Sequence, residues 1–199
     1  MKSNALLFLI AVVAVSYFGL TILILSLIST DVNPITQVAS LYGIGPYAVE
    51  MNLGFLIGGI GLIAFALAAA QISRVGALIL SIDGLVLIVD SYFTTSPEGA
   101  PATLHNTIHS LGGAIYFFTA WVGIIMVSRK LGRRTFLPIL AAIVFGIIFE
   151  IASSVLSAGG LGERVLLGAI FSSIVAGSLS LLIKSQSNRR ASSPLPLQA

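Results

Sequence analysis

The stretch ALLFLIAVVAVSYFGLTILILSLIS, Ala5 to Ser29, holds 25 residues without one charge. A helix of about 20 apolar residues crosses the ~30 Å hydrocarbon core of a bilayer. The run is about twice the 7–15 residues of a signal-peptide core, and no A-x-A-like site follows it, so it reads as an uncleaved first span. Working outward, five more stretches qualify, giving spans at about 5–29, 48–71, 75–94, 106–128, 136–157 and 165–183. The whole chain agrees. Its 199 residues are 57% hydrophobic and 9% charged, with a mean hydropathy of +1.06, whereas soluble domains carry about a quarter charged residues. A water-soluble enzyme is excluded. The chain has no cysteine, which removes disulfides, thiolate metal sites and cysteine nucleophiles.

The basic residues set the expected topology. If the chain weaves six times, Lys2, Arg74, Arg129, Lys130, Arg133, Arg134, Lys184, Arg189 and Arg190 fall on one side and Arg164 alone on the other, beside Glu163. The positive-inside rule then places both termini in the cytoplasm. The expected fold is an all-α polytopic bundle of six transmembrane helices over residues 1–184, multi-pass in the plasma membrane, with 185–199 a disordered cytoplasmic tail. The same placement explains the net charge of +3 without nucleic acid, through topology and contacts with membrane lipids.

The outer connections differ from the inner ones. Thr30 to Tyr47 is the longest, with Pro34, Gly43, Gly45 and Pro46 as turn-formers and no basic residue. Thr95 to His105 also lacks Lys and Arg, and Ala158 to Arg164 reads as a short glycine-rich loop. No internal repeat is evident, so a transporter of duplicated halves gains no support. Small residues recur at helical spacing: Gly54, Gly58 and Gly61; Ala142, Gly146, Glu150 and Ser154; Gly168, Ser172, Ala176 and Ser180. Such stripes let membrane helices approach closely, and tight packing within the monomer is the expectation.

Ionisable groups inside a membrane cost ~2.5–3.5 kcal/mol at a helix centre on insertion scales, so each asks for a reason. Asp83 and Asp90 lie seven apart on one face of the third span, about 10 Å along the axis, and His105 and His109 lie one turn apart on the fourth. The weave brings Glu50, Asn52, Asp90, His105, His109 and Glu150 to similar depth near the outer surface, with Asp83 deeper. These seven residues are the candidate outer pocket. Three functions suit them. The first is a non-catalytic accessory or ligand-binding membrane subunit, the polar group being structural or recognising a ligand or a partner subunit. The second is a metal-dependent hydrolase of a membrane lipid, with zinc held by His105, His109 and Asp90. The third is a small-solute or proton-coupled transporter using Asp83, although the inner half offers few polar residues for a complete path. No Gly-x-Ser-x-Gly elbow, phosphate loop or nucleotide fingerprint appears. Trp121 and Tyr116 read as packing residues, and Tyr42, Tyr47 and Tyr92 as interfacial ones.

The run from Tyr92 through Thr94, Thr95, Pro97, Glu98, Gly99 and Pro101 to His105 and His109 resembles the signature of a bacterial and archaeal membrane family catalogued as domain of unknown function 998. Ser40-Leu41-Tyr42-Gly43, followed by Asn52-Leu53-Gly54-Phe55 and Gly58, is similar to that family's first outer loop and second span. The resemblance implies a six-helix bundle and carries no activity. The chain departs from the family's Phe-Pro-x-Asp-like turn at Thr94 and Thr95; if the family's Asp is a metal ligand, Asp90 or Glu98 would have to replace it. In site composition the chain also resembles the alkaline ceramidases and adiponectin-type receptors, which combine Ser, Asp and His near one membrane face. Those have seven helices and three zinc-binding histidines, against six expected spans and two histidines here.

Overall fold

The computed structural model describes residues 2–191 apart from 98 and 102, with side chains described over 5–183. Among these residues there are six α-helices and one 3-10 helix, and no strand. The α-helices are α1 (Lys2–Ile28), α2 (Ala48–Ala69), α3 (Arg74–Asp90), α4 (Leu104–Ser128), α5 (Arg133–Val155) and α6 (Gly159–Ala191); the 3-10 helix, Ala39–Ile44, lies in the α1–α2 loop. Five are long and apolar enough to cross a membrane: α1 from Ala5, α2, α4, α5, and α6 as far as Ile183. The chain is a multi-pass membrane protein. The third helix is the short one, 17 residues or about 26 Å, and it ends at Asp90 where a span to residue 94 was expected. A turn at Ser91 and Tyr92 takes over, with Ser91 donating its hydroxyl to the Ile88 carbonyl at 2.6 Å.

Both faces of α1 are apolar, so packing decides which is inside. Phe8, Ala11, Val15, Phe18, Ile22 and Leu25 are buried, a stripe at alternating three- and four-residue steps, while Leu6, Leu9, Val13, Leu20, Leu23 and Leu27 are exposed to the lipid phase. That stripe contacts α2 and α6. The helices stand in the spatial order α4, α3, α2, α1, α6, α5, with neighbours packed closely along the row and α4 touching α5 and α6 only lightly. Glycines set the closest approaches, as small-residue faces do in membranes. A Cβ on Gly58 would lie 2.5 Å from Phe18 Cδ1, and one on Gly59 would lie 2.5 Å from the Gly84 carbonyl oxygen. These α1–α2 and α2–α3 contacts agree with the expectation of tight packing. Gly146 likewise packs on Ala169 and Leu166 of α6.

The small face of α6 behaves differently. Gly168, Ser172 and Ala176 are exposed, and a Cβ on Gly168 would meet nothing within 4 Å. With Ser16, Gly19 and Leu23 of α1 they line a groove of about 910 Å³. Four-residue spacing defines a face but not a neighbour, and here the neighbour is absent. Two further expectations change at the ends of α6. Residues 159–164, read as a glycine-rich loop, form its first turns, and residues 185–191 of the expected tail continue it. Residues 192–199 lie outside the described residues.

Candidate functional site

The polar groups gather at the end of the bundle that carries residues 29–47, here called the loop end. The seam between α3 and α4 supplies most of them. It is antiparallel: Asp90 faces His109, Asp83 faces Thr119, and Leu80 lies against Gly123. The α4 N-terminus is fixed by Thr103, whose side chain accepts from the Asn106 amide at 3.1 Å, a capping bond that satisfies an otherwise orphaned donor. Asn106 Oδ1 in turn accepts from the Ser96 amide at 3.1 Å and from the Thr95 hydroxyl at 3.3 Å. The turn between α3 and α4 is therefore tied to the helix that bears both histidines.

His109 is buried. Its Nδ1 lies 2.9 Å from the Phe93 carbonyl, and because a carbonyl only accepts, Nδ1 is the donor. Asp90 Oδ1 stands 3.6 Å from the same nitrogen, beyond hydrogen-bond range, and no donor reaches it. Phe55 packs edge-on against the imidazole with centroids 5.8 Å apart. His105, one turn earlier, is exposed and leans on the rings of Phe93 and Tyr92 at 5.0 and 5.7 Å. Among the described residues no group of three or more His, Cys, Asp or Glu side chains could hold a metal ion.

Asp90 and His109 line a cavity of about 300 Å³. Its apolar walls include Phe18, Ile22, Met51, Phe55, Leu87 and Leu167, drawn from α1, α2, α3 and α6; Tyr116 and Phe117 come from α4, and Val38, Ala39 and Ser40 from the loop. On α4 the lining residues Ser110, Gly113 and Ala114 are small, and a Cβ on Gly113 would meet nothing within 4 Å. Ser110 and Ala114 are also exposed, so the cavity reaches the surface along this edge of α4.

Glu163 closes the far wall, and sequence reasoning missed it. Its Oε2 accepts from the Ala39 amide at 2.7 Å, pinning the loop to α6. Arg164, assigned on sequence only to the odd side of the charge count, is the hub of this closure. Its Nε donates to Ser26 Oγ at 2.9 Å, Nη1 to the Gln37 and Gly160 carbonyls at 2.7 and 2.8 Å, and Nη2 to Tyr42 Oη at 3.1 Å. Its guanidinium carbon also sits 5.4 Å from the Tyr42 ring centroid. Tyr42, expected at the interface, is 1% exposed. The backbone of α6 comes so close to Gln37 that only glycine fits at 160. The available signal was the pair itself: a lone Glu–Arg dipeptide between two apolar stretches, on the side that positive charge avoids.

The remaining candidates do not join the cavity. Glu50 is exposed. Asn52 donates from Nδ2 to the Gly43 carbonyl at 3.3 Å and so holds the 3-10 helix. Glu150 lies in the α5–α6 seam, where Ser154 donates to its Oε1 at 3.4 Å. Asp83, fully buried, sits deeper in the α3–α4 seam and accepts from the Thr119 hydroxyl at 2.5 Å. Its Oδ2 and the Tyr116 hydroxyl have no partner. Glu98 lies outside the described residues.

A family model described as "Protein of unknown function (DUF998)" matches residues 9–180, which span α1 to the middle of α6 and every residue of the cavity. The chain belongs to the DUF998 family. The resemblance seen around the two histidines therefore extends over nearly the whole bundle. No curated protein and no solved structure matches this DUF998 chain.

Proposed function

We propose that this protein is a non-catalytic membrane protein that binds a small amphiphilic molecule in the loop-end cavity. The observation that carries the reading is the cavity itself: mostly apolar walls, a few convergent polar groups and an exposed edge at Ser110 and Ala114 of α4. Ligand sites commonly have this composition, at volumes of about 300–1,000 Å³. A hydrolytic reading needs His105 beside His109 and Asp90, and the exposed, ring-stacked position of His105 gives it less support.

The reading includes six crossings with both termini cytoplasmic. Its support is the antiparallel packing of α3 against α2 and α4, the inward burial of Asp83 and Asp90, and the basic residues at the end opposite the loop, Arg74 opening α3 and Arg129 and Lys130 between α4 and α5. A 26 Å helix is shorter than the ~30 Å core, a mismatch that local thinning accommodates at modest cost.

Native mass spectrometry of the gently extracted protein tests the binding. Wild type should carry a small non-covalent occupant that Ala114→Phe, which fills the entrance, expels. An identical set of adducts on both proteins refutes the reading.

A further inference from the structure

We infer that the molecule held in the loop-end cavity is an organic ammonium, an amine head on a short apolar body; this rests on the ligand-binding reading above. The argument begins with sign. Asp90 and Glu163 both line the cavity, and no Lys or Arg does. Asp90 is 2% exposed, and its Oδ1 has no donor among the described residues. The nearest nitrogen, His109 Nδ1, is committed to the Phe93 carbonyl, which leaves Nε2 as the ring's acceptor when the imidazole is neutral.

Arg164, the cation nearby among the described residues, makes its hydrogen bonds away from Asp90. Arg164 is adjacent to Glu163 in sequence but spends all three guanidinium nitrogens on Ser26, Gln37, Gly160 and Tyr42. The hydroxyls of Ser40, Thr95, Ser110 and Tyr116 on the same wall can donate or accept, but the two carboxyl groups only accept when ionised, and their counter-charge has to come from the ligand. Buried charged groups are tolerated when paired and hydrogen-bonded, and an ammonium supplies three donors together with the positive charge. The rings of Phe18, Phe55, Tyr116 and Phe117 line the same space, and aromatic rings attract organic cations. An anionic head would meet two carboxyl groups. A bare metal ion would face hydrocarbon on most sides and, among the described residues, no three-residue ligand set.

The test uses three probes of one shape and different charge: hexylammonium, hexanol and hexanoate. Each is titrated into the detergent-purified full-length protein, and thermal unfolding is followed by the fluorescence of Trp121, the single tryptophan. Hexylammonium should raise Tm saturably, and the two other probes should not. Asp90→Asn and Glu163→Gln should each weaken the apparent affinity by about 10- to 100-fold, the usual range for losing a hydrogen bond to a charged group. Ala114→Phe keeps both carboxyl groups and should also abolish the shift, so the result stands even where an acidic-site variant fails to fold. Hexanol acting as well as hexylammonium overturns the ammonium inference and leaves the ligand-binding reading intact. A hexylammonium shift that survives Asp90→Asn and Ala114→Phe reports surface binding and overturns it too. If no probe binds while Ala114→Phe still strips a native occupant, the ammonium inference alone fails; if no occupant exists either, both readings fail.

Discussion

Replacing Arg164 by Met should release the 29–47 loop from the bundle. The side chain donates four hydrogen bonds, two of them to main-chain carbonyls on different segments. Methionine preserves much of the aliphatic volume and removes every donor. Breaking a buried charged network by deleting one partner costs ~3–5 kcal/mol; Arg164 is only half-buried, so about 3 kcal/mol is the appropriate figure. Because the chain has no native cysteine, a reporter thiol can be placed cleanly at Ala39, which is 1% exposed and lies on the loop. In Ala39→Cys the thiol is reached only when the loop lifts. Local opening governs such labelling, and ~3 kcal/mol corresponds to roughly 100-fold at 1.4 kcal/mol per decade. Maleimide labelling of Ala39→Cys/Arg164→Met should accordingly be about 100-fold faster than that of Ala39→Cys alone. Arg164→Lys should fall between, since an ammonium keeps the charge and loses the planar fork. Labelling rates within about threefold of each other would refute the hub role and leave the Glu163–Ala39 and Leu161–Ile35 bonds as the tethers to α6.

Three other outcomes are expected. Gly59→Ala should destabilise the detergent-solubilised protein by ~1–3 kcal/mol, because its Cβ meets a backbone oxygen that no rotamer change can move, whereas Gly168→Ala, open on its groove, should stay within ~0.5 kcal/mol; Tm and chemical unfolding read both. His109→Ala should cost ~1–3 kcal/mol by stranding the Phe93 carbonyl, and the exposed His105→Ala should cost no more than ~0.5 kcal/mol; equal losses would restore the idea that the two rings act together. Cysteines at Thr36 and Ala100, both exposed, should react with an impermeant maleimide in intact cells while one at Arg133 should not. Labelling of Thr36 and Ala100 from opposite sides would mean that α3 does not cross.

The fold was legible wherever uninterrupted hydropathy decides it, as in Ala5–Ser29, and less so wherever packing does. Hydropathy alone cannot say which face of α1 is buried, because Leu9 and Phe8 are equally apolar and only one meets α2 and α6. The end of α3 was overrun for a similar reason: Tyr92 and Phe93 prolong the apolar run, while the turn is made by backbone bonds that composition does not record. At the site, topological depth set Asp90 and His109 at one level, and the structure has them 3.6 Å apart. Depth placed His105 with them because two residues one turn apart share a face, but that turn also moves the ring about 6 Å along the axis, out past the edge of the seam. Glu163 and Arg164 escaped notice because they were read as charges at a membrane boundary, where their role is set by the segment of chain folded over them, more than 120 residues away in sequence.

The helix order also bears on how the molecule is made. The buried stripe of α1 is shared between α2, synthesised next, and α6, synthesised last. Until α6 arrives, Phe18 lacks Phe171, its neighbour at 5.2 Å, and Ser26 and Tyr42 lack the guanidinium that joins them. The first helix must therefore wait in the membrane with one flank uncovered while α2 to α5 are made, a situation in which transiently exposed surface invites wrong partners. Assembly closes when the last hairpin swings against the first helix, so a ribosome stalled after α4 would leave a bundle that is inserted but unfinished.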